Sequence, residues 1–169
     1  MTVRPIVVYP DERLKTVCTP VGGSGPLAPD HRELALDLLE TMSAYPGCVG
    51  LAAPQVGALV RMLAIDVTGH RRAKSCHGRV VLVDPELTAR AGNVAMREGC
   101  LSIPDFTGNV RRPERITVTG RGVDGESLEL HCDGYEARVL LHEIDHLDGL
   151  LFLDRVRKAS DVFPRKHYQ

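Results

Sequence analysis

His142-Glu143-Ile144-Asp145-His146 sets two imidazoles four residues apart, with a carboxylate next to the first. On a helix, residues i and i+4 share one face about a turn apart, so both rings reach one cation. Glu143 is rotated by one residue, beside that cation, where it can take a proton from a water activated there. The spacing therefore points to a divalent metal and hydrolytic chemistry. Two histidines under-coordinate a catalytic ion, which usually takes three protein ligands and leaves a fourth position for water. Downstream, Asp148, Asp154, Asp161 and His167 stand in no persuasive context. Upstream, Glu98-Gly99-Cys100-Leu101-Ser102 ends a strand-like run. Cys100 there is a soft donor that would bind as thiolate. Taken alone, a free cysteine is more often a core residue. A third segment, Cys48 to Gly57, combines small residues at Gly50, Ala52 and Ala53 with the amide of Gln55. Small residues permit close approach of a backbone to a ligand; by itself the segment reads as a turn followed by a surface Gln.

These groups need elements to hold them. Asp133 as N-cap, Glu136 three residues on, apolar Val139, Leu140, Ile144 and Leu147, and Gly149 as stop predict the helix that carries the histidines. Leu140, Ile144 and Leu147 then face the core. A second helix is expected over 30–44, from a capping box at Asp30-His31-Arg32-Glu33, Leu34, Leu38 and Met42 at helical spacing, and Pro46-Gly47 as terminator. Between them, 60–67, 79–83, 94–100, 115–120 and 127–132 read as strands, with Asp124-Gly125 as a hairpin turn. The expected fold is α+β: antiparallel strands packed around a central C-terminal HExxH helix, with an N-terminal helix. One domain spanning 1–169 is expected, since no linker or repeat divides the chain.

Composition narrows the function classes. Lys and Arg total 21 against 22 Asp and Glu, a net charge of -1, and aromatics are only 4%. A general nucleic-acid binder would carry a basic excess and stacking platforms, so no DNA partner is expected. No apolar run approaches a membrane span, and the amino terminus does not read as a secretory signal. Five cysteines without a CxxC pair fit reduced thiols in a cytoplasmic setting.

Taken together, Cys48-x-Gly50-x-Ala52-Ala53-x-Gln55, EGCLS at 98–102 and HEIDH at 142–146 resemble the peptide deformylase family. That family carries GxGxAAxQ, EGCLS and HExDH in this order, and Tyr9-Pro10-Asp11-Glu12-Arg13-Leu14 is similar to its early YPDPRL stretch. The resemblance implies that Cys100, His142 and His146 bind one divalent ion, with a water in the fourth position. Fe(II) is the metal expected, and Zn, Ni or Co would also suit the donors. It implies Glu143 as general base and then acid, with Gln55 through its side-chain amide and Leu101 through its backbone N–H stabilising the oxyanion. Gly50 would lie where the substrate backbone aligns. The implied reaction is hydrolysis of N-formyl-methionyl peptides to formate and a free amino terminus, with transient ribosome association. Two other readings are a zincin-like metallopeptidase and a catalytically weakened peptide-binding paralogue.

The chain departs from the family pattern at Cys48, where the family has Gly, and at Leu141, where it usually has Gln. The segment after Leu153, with Arg155, Arg157, Lys158, Arg165 and Lys166, is expected to be a solvated tail, because Pro164 opposes a long helix. Adjacent His131 and Cys132 should point to opposite faces of their strand. His70, Cys76 and His77 flank the basic 71–74 loop, which reads as a polar hairpin tip with a zinc site as the minor alternative.

Overall fold

The computed structural model describes residues 2–165. A 3-10 turn (Glu12–Lys15) precedes α1 (Pro29–Ala44), β1 (Gly50–Ala52), a second 3-10 turn (Ala53–Val56) and β2 (Met62–Ile65). Then come β3 (Val80–Ala91), β4 (Val94–Cys100), β5 (Ile103–Arg112), β6 (Arg115–Arg121) and β7 (Ser127–Asp133). The chain continues through α2 (Gly134–Leu147), α3 (Phe152–Arg155), a 3-10 turn (Ala159–Asp161) and β8 (Val162–Pro164).

Strand alternation organises the core. All four residues of β2 are buried, and successive side chains leave opposite faces of the sheet. Met62 and Ala64 join Leu34, Leu38 and Met42 of α1, whereas Leu63 and Ile65 join Leu140, Ile144 and Leu147 of α2. The five-stranded sheet, in order β1-β2-β3-β6-β7 with every pairing antiparallel, thus lies between the two helices. A second sheet, β4-β5-β8, buries Cys100, Ile103 and Val110 with Leu14 and Phe152.

The α+β architecture is as expected, and α2 is central to it: every residue from Glu136 to Leu147 is buried. A helix buried all round must satisfy its polar side chains inside the protein. Several local expectations are corrected. Helix α1 begins at Pro29 with Ala28 as N-cap and no side-chain cap, so Asp30 lies inside its first turn. Proline tolerates that position because its missing N–H is not needed there. Gly50–Ala52, expected as a turn, is a strand; β3 runs to Ala91; and β5, which was not foreseen, pairs on both sides. The expected solvated tail is instead docked through β8 on β5 and through Arg155, whose guanidinium lies 2.7 Å from Asp145 Oδ1. Lys166 and His167 lie outside the described residues. Gly125 takes φ +89° in the 122–126 turn, as the Asp-Gly hairpin signal requires.

Candidate active site

Helix α2 and strand β4 meet at one point. Cys100 Sγ lies 3.3 Å from His146 Nε2, and Cys100, His142 and His146 present donor atoms all within 4.8 Å of one another. Tetrahedral zinc with one sulfur and two nitrogens implies S···N separations of about 3.5 Å. All three residues are buried. Burial alone would push the Cys100 thiol up, but the positive potential and hydrogen bonds of His146 and His142 hold it well below the ordinary range. A thiolate beside two imidazoles is a complete three-ligand donor set, and the residues present fit a divalent ion.

Buried charges behind the histidines fix their orientation. Glu98 Oε2 is 2.9 Å from His142 Nδ1, leaving the other ring nitrogen to face Cys100 and His146. Glu98 in turn accepts from Arg112 at 2.6 and 3.0 Å and from Arg138 at 2.6 Å. Arg112 also donates to Asp145 at 2.7 Å, and so does Arg155. Burial opposes ionisation of Glu98, yet His142 and Arg112 hold its carboxyl well below the usual carboxylate range. This ion cluster joins β4, β5, α2 and α3. A buried cluster is costly to break, because removing one member leaves an uncompensated charge.

Among the described residues, three polar atoms of the site are buried without a hydrogen bond: Glu143 Oε2, His146 Nδ1 and Arg138 Nε. Burial pushes the Glu143 carboxyl up to about 7, against the lowering influence of both histidines. A carboxylate so tuned suits proton transfer near neutral pH. Gln55 is held by its Oε1, which accepts from Ala52 N at 2.9 Å, so that Nε2 is directed at Cys100 Sγ (3.3 Å) and Ser102 Oγ (3.2 Å). Leu101 occupies the tight turn between β4 and β5 and lines the same cavity, of about 300 Å³. Cys48, Gly50, Tyr135 and Val139 form other parts of its wall, and Arg97, Arg138 and Arg165 add positive charge.

Gly50 has a steric role the sequence does not reveal. A Cβ there would stand 2.5 Å from Glu143 Oε1 and 2.9 Å from Val139 Cγ1. Strand β1 therefore approaches α2 closely because this position carries no side chain. Gly99 likewise makes room, for the Arg165 side chain. Cys48 donates to the Gly50 carbonyl at 3.2 Å, and Leu141 packs in the core. The structure thus places six of the seven sequence-predicted residues in the lining of one cavity, with His146 beside it against Cys100. Sequence reasoning missed Glu98, Arg112, Arg138 and Asp145 as supports. Arg138 stands one turn before His142 on an otherwise apolar stretch, the one signal that could have found it.

A family model described as polypeptide deformylase matches residues 3–162. The peptide deformylase of Thermodesulfovibrio yellowstonii is 37% identical over 169 residues, covering 100% of this chain and 98% of that protein. That of Chlorobium phaeobacteroides is 42% identical over 158 residues, covering 94% and 81%. The crystal structure of peptide deformylase from Ehrlichia chaffeensis in complex with actinonin aligns with a TM-score of 0.85 at 34% identity, over 95% of this chain and 92% of that one. Matched in sequence over nearly its whole length and in fold, the protein belongs to the polypeptide deformylase family of metal-dependent hydrolases.

Proposed function

We propose that this protein removes the formyl group from N-formyl-methionyl peptides, with Cys100, His142 and His146 as metal ligands. The observation that carries the reading is Cys100 Sγ at 3.3 Å from His146 Nε2, with the Glu143 carboxylate next to His142 on the same helix. A zincin-like peptidase reading expects its third ligand downstream of the histidine pair; the third donor here comes from upstream, on β4. A divalent ion in that set, Fe(II) being the choice that suits one thiolate and two imidazoles in a reducing cytoplasm, supplies Lewis acidity toward water and the formyl oxygen.

The chain's own residues do the rest. Strand β1 is an edge strand whose Gly50 borders the cavity, so a peptide can align beside it by backbone pairing. The apolar surfaces of Val139 and Tyr135 suit the methionyl side chain. Glu143 takes the proton of the attacking water and then delivers it to the departing amine, which its pKa of about 7 permits in both directions. The Gln55 amide and the Leu101 N–H donate to the formyl oxygen as it gains charge. Glu98 holds His142 in one orientation throughout. A substrate that is the new end of a translated chain goes with a cytoplasmic enzyme in transient contact with the ribosome, where exposed Arg157 and Lys158 offer basic contacts. Among the described residues no helix is long and apolar enough to cross a membrane.

The test is formate release from formyl-Met-Ala-Ser by anaerobically purified protein, with metal analysis of the same sample. Glu143→Gln is expected to keep its metal and lose about 10²–10⁴-fold in turnover. Undiminished turnover in that variant refutes the assignment.

A further inference from the structure

Beyond the catalytic centre, one other set of donors converges. His77, from the loop between β2 and β3, meets Cys132 at the end of β7 and Glu136 in the first turn of α2, with donor atoms all within 4.8 Å. His77 Nδ1 lies 3.0 Å from Glu136 Oε2 and 3.9 Å from Cys132 Sγ. These separations bracket the roughly 3.3–3.6 Å edges of a tetrahedron built on ordinary zinc–nitrogen, zinc–oxygen and zinc–sulfur bonds.

The surroundings favour an ion over a chance contact. Glu136 is fully buried, and among the described residues its one ion-pair partner is the His77 ring; no Arg or Lys reaches it. Buried carboxylates are ordinarily paired with a cation or bound to a metal. The carboxylate is also oriented in advance: His77 N donates to Oε1 at 2.7 Å and Ser75 Oγ to Oε2 at 2.6 Å, as outer hydrogen bonds orient a metal-bound carboxylate. Ser75 is itself pinned to Asp133 through both backbone amides and side chains, at 3.0 and 2.9 Å. The His77 side chain is 32% exposed, which opens a path for entry and a fourth position for water.

We propose that His77, Cys132 and Glu136 form a second divalent-cation site, of zinc type, separate from the catalytic one. Its mixed sulfur, nitrogen and oxygen donors select zinc over magnesium or calcium. Occupied, it fastens the 70–77 loop to the start of α2. That loop already stacks His70 on Tyr135, ring centroids 3.9 Å apart, and Tyr135 lines the substrate cavity. The site therefore braces one wall of that cavity from behind. The inference stands on its own geometry and does not depend on the formyl-peptide reading.

The test uses holoenzyme with its catalytic site loaded, dialysed against buffered Zn²⁺ and assayed for metal per chain. Wild type is expected to hold two equivalents, and His77→Ala and Cys132→Ser one, the equivalent held by Cys100, His142 and His146. His77→Ala alters a partly exposed loop side chain, so it reports even where loss of the buried Cys132 thiol unfolds the chain. With Co²⁺ as probe, the second equivalent adds a thiolate-to-cobalt absorption that His77→Ala weakens. One equivalent in wild type overturns the proposal, as do two equivalents retained in His77→Ala.

Discussion

Gly50→Ala probes the close approach of β1 to α2 at the candidate active site. The new methyl carbon would stand 2.5 Å from Glu143 Oε1 and 2.9 Å from both Glu143 Cγ and Val139 Cγ1. Ordinary carbon contacts begin near 3.5 Å, so the carboxylate oxygen must retreat by about 1 Å. Helix α2 cannot move as a unit to relieve this, being buried on all sides. The displacement therefore falls on the Glu143 side chain, whose Oε2 has no hydrogen bond to resist it. A misplacement of this size costs on the order of 10²-fold in turnover, with a stability loss of about 1–3 kcal/mol from overpacking. Formate release from formyl-Met-Ala-Ser should show kcat down about 100-fold while KM changes less than about threefold, with metal content unchanged. Added to Glu143→Gln, the substitution should cost little more, since the group it displaces is already disabled. A wild-type kcat, or a loss confined to KM, refutes the steric argument and makes Gly50 a residue of peptide binding alone.

Glu98→Ala leaves Arg112 and Arg138 facing each other without their shared carboxylate; a loss of about 3–5 kcal/mol is expected in urea unfolding, with metal affinity reduced about 10–100-fold as His142 loses its partner. Near wild-type stability would show that the cluster is not held by Glu98. Burial opposes ionisation of Asp37, but the Arg4 guanidinium and Thr2 amide hold its carboxyl below 3.8. Its stabilising contribution is therefore complete above pH 3.8 and lost as pH falls through the lower folded value. The stability gap between wild type and Asp37→Asn should be level from pH 5 to 7 and narrow on acidification below pH 3.8; a gap that does not change with pH contradicts this. Cys48→Gly clears the cavity wall and frees the Gly50 carbonyl, and should raise kcat/KM for long formyl-peptides more than for short ones. An unchanged ratio between the two rejects that effect.

The helix carrying the histidines was legible because its start, stop and apolar spacing all agree with one register. EGCLS was visible as a motif, but what Glu98 touches was not: Arg112, Arg138 and His142 lie 14, 40 and 44 residues away. Strand β1 was misread because three residues, Gly-Leu-Ala, are too few to display a period of two. Strand β5 contains Pro104, Gly108 and charged residues, a pattern that propensity assigns to loop, and its formation rests on pairing with β4 and β8. The start of α1 was misplaced because Asp30 and Glu33 mimic a capping box, while the stronger signal was Pro29 at the first helical position. His77 and Cys132 are 55 residues apart, and nothing in either neighbourhood announces the other.

In the peptide alignment proposed above, the shortness of β1 limits how much of a polypeptide can pair with it. Three residues at about 3.4 Å each make a ladder of roughly 10 Å, enough to register a handful of positions behind a terminal methionine. Selectivity is thereby concentrated at the very tip of the newborn chain, where the chemical mark to be erased resides.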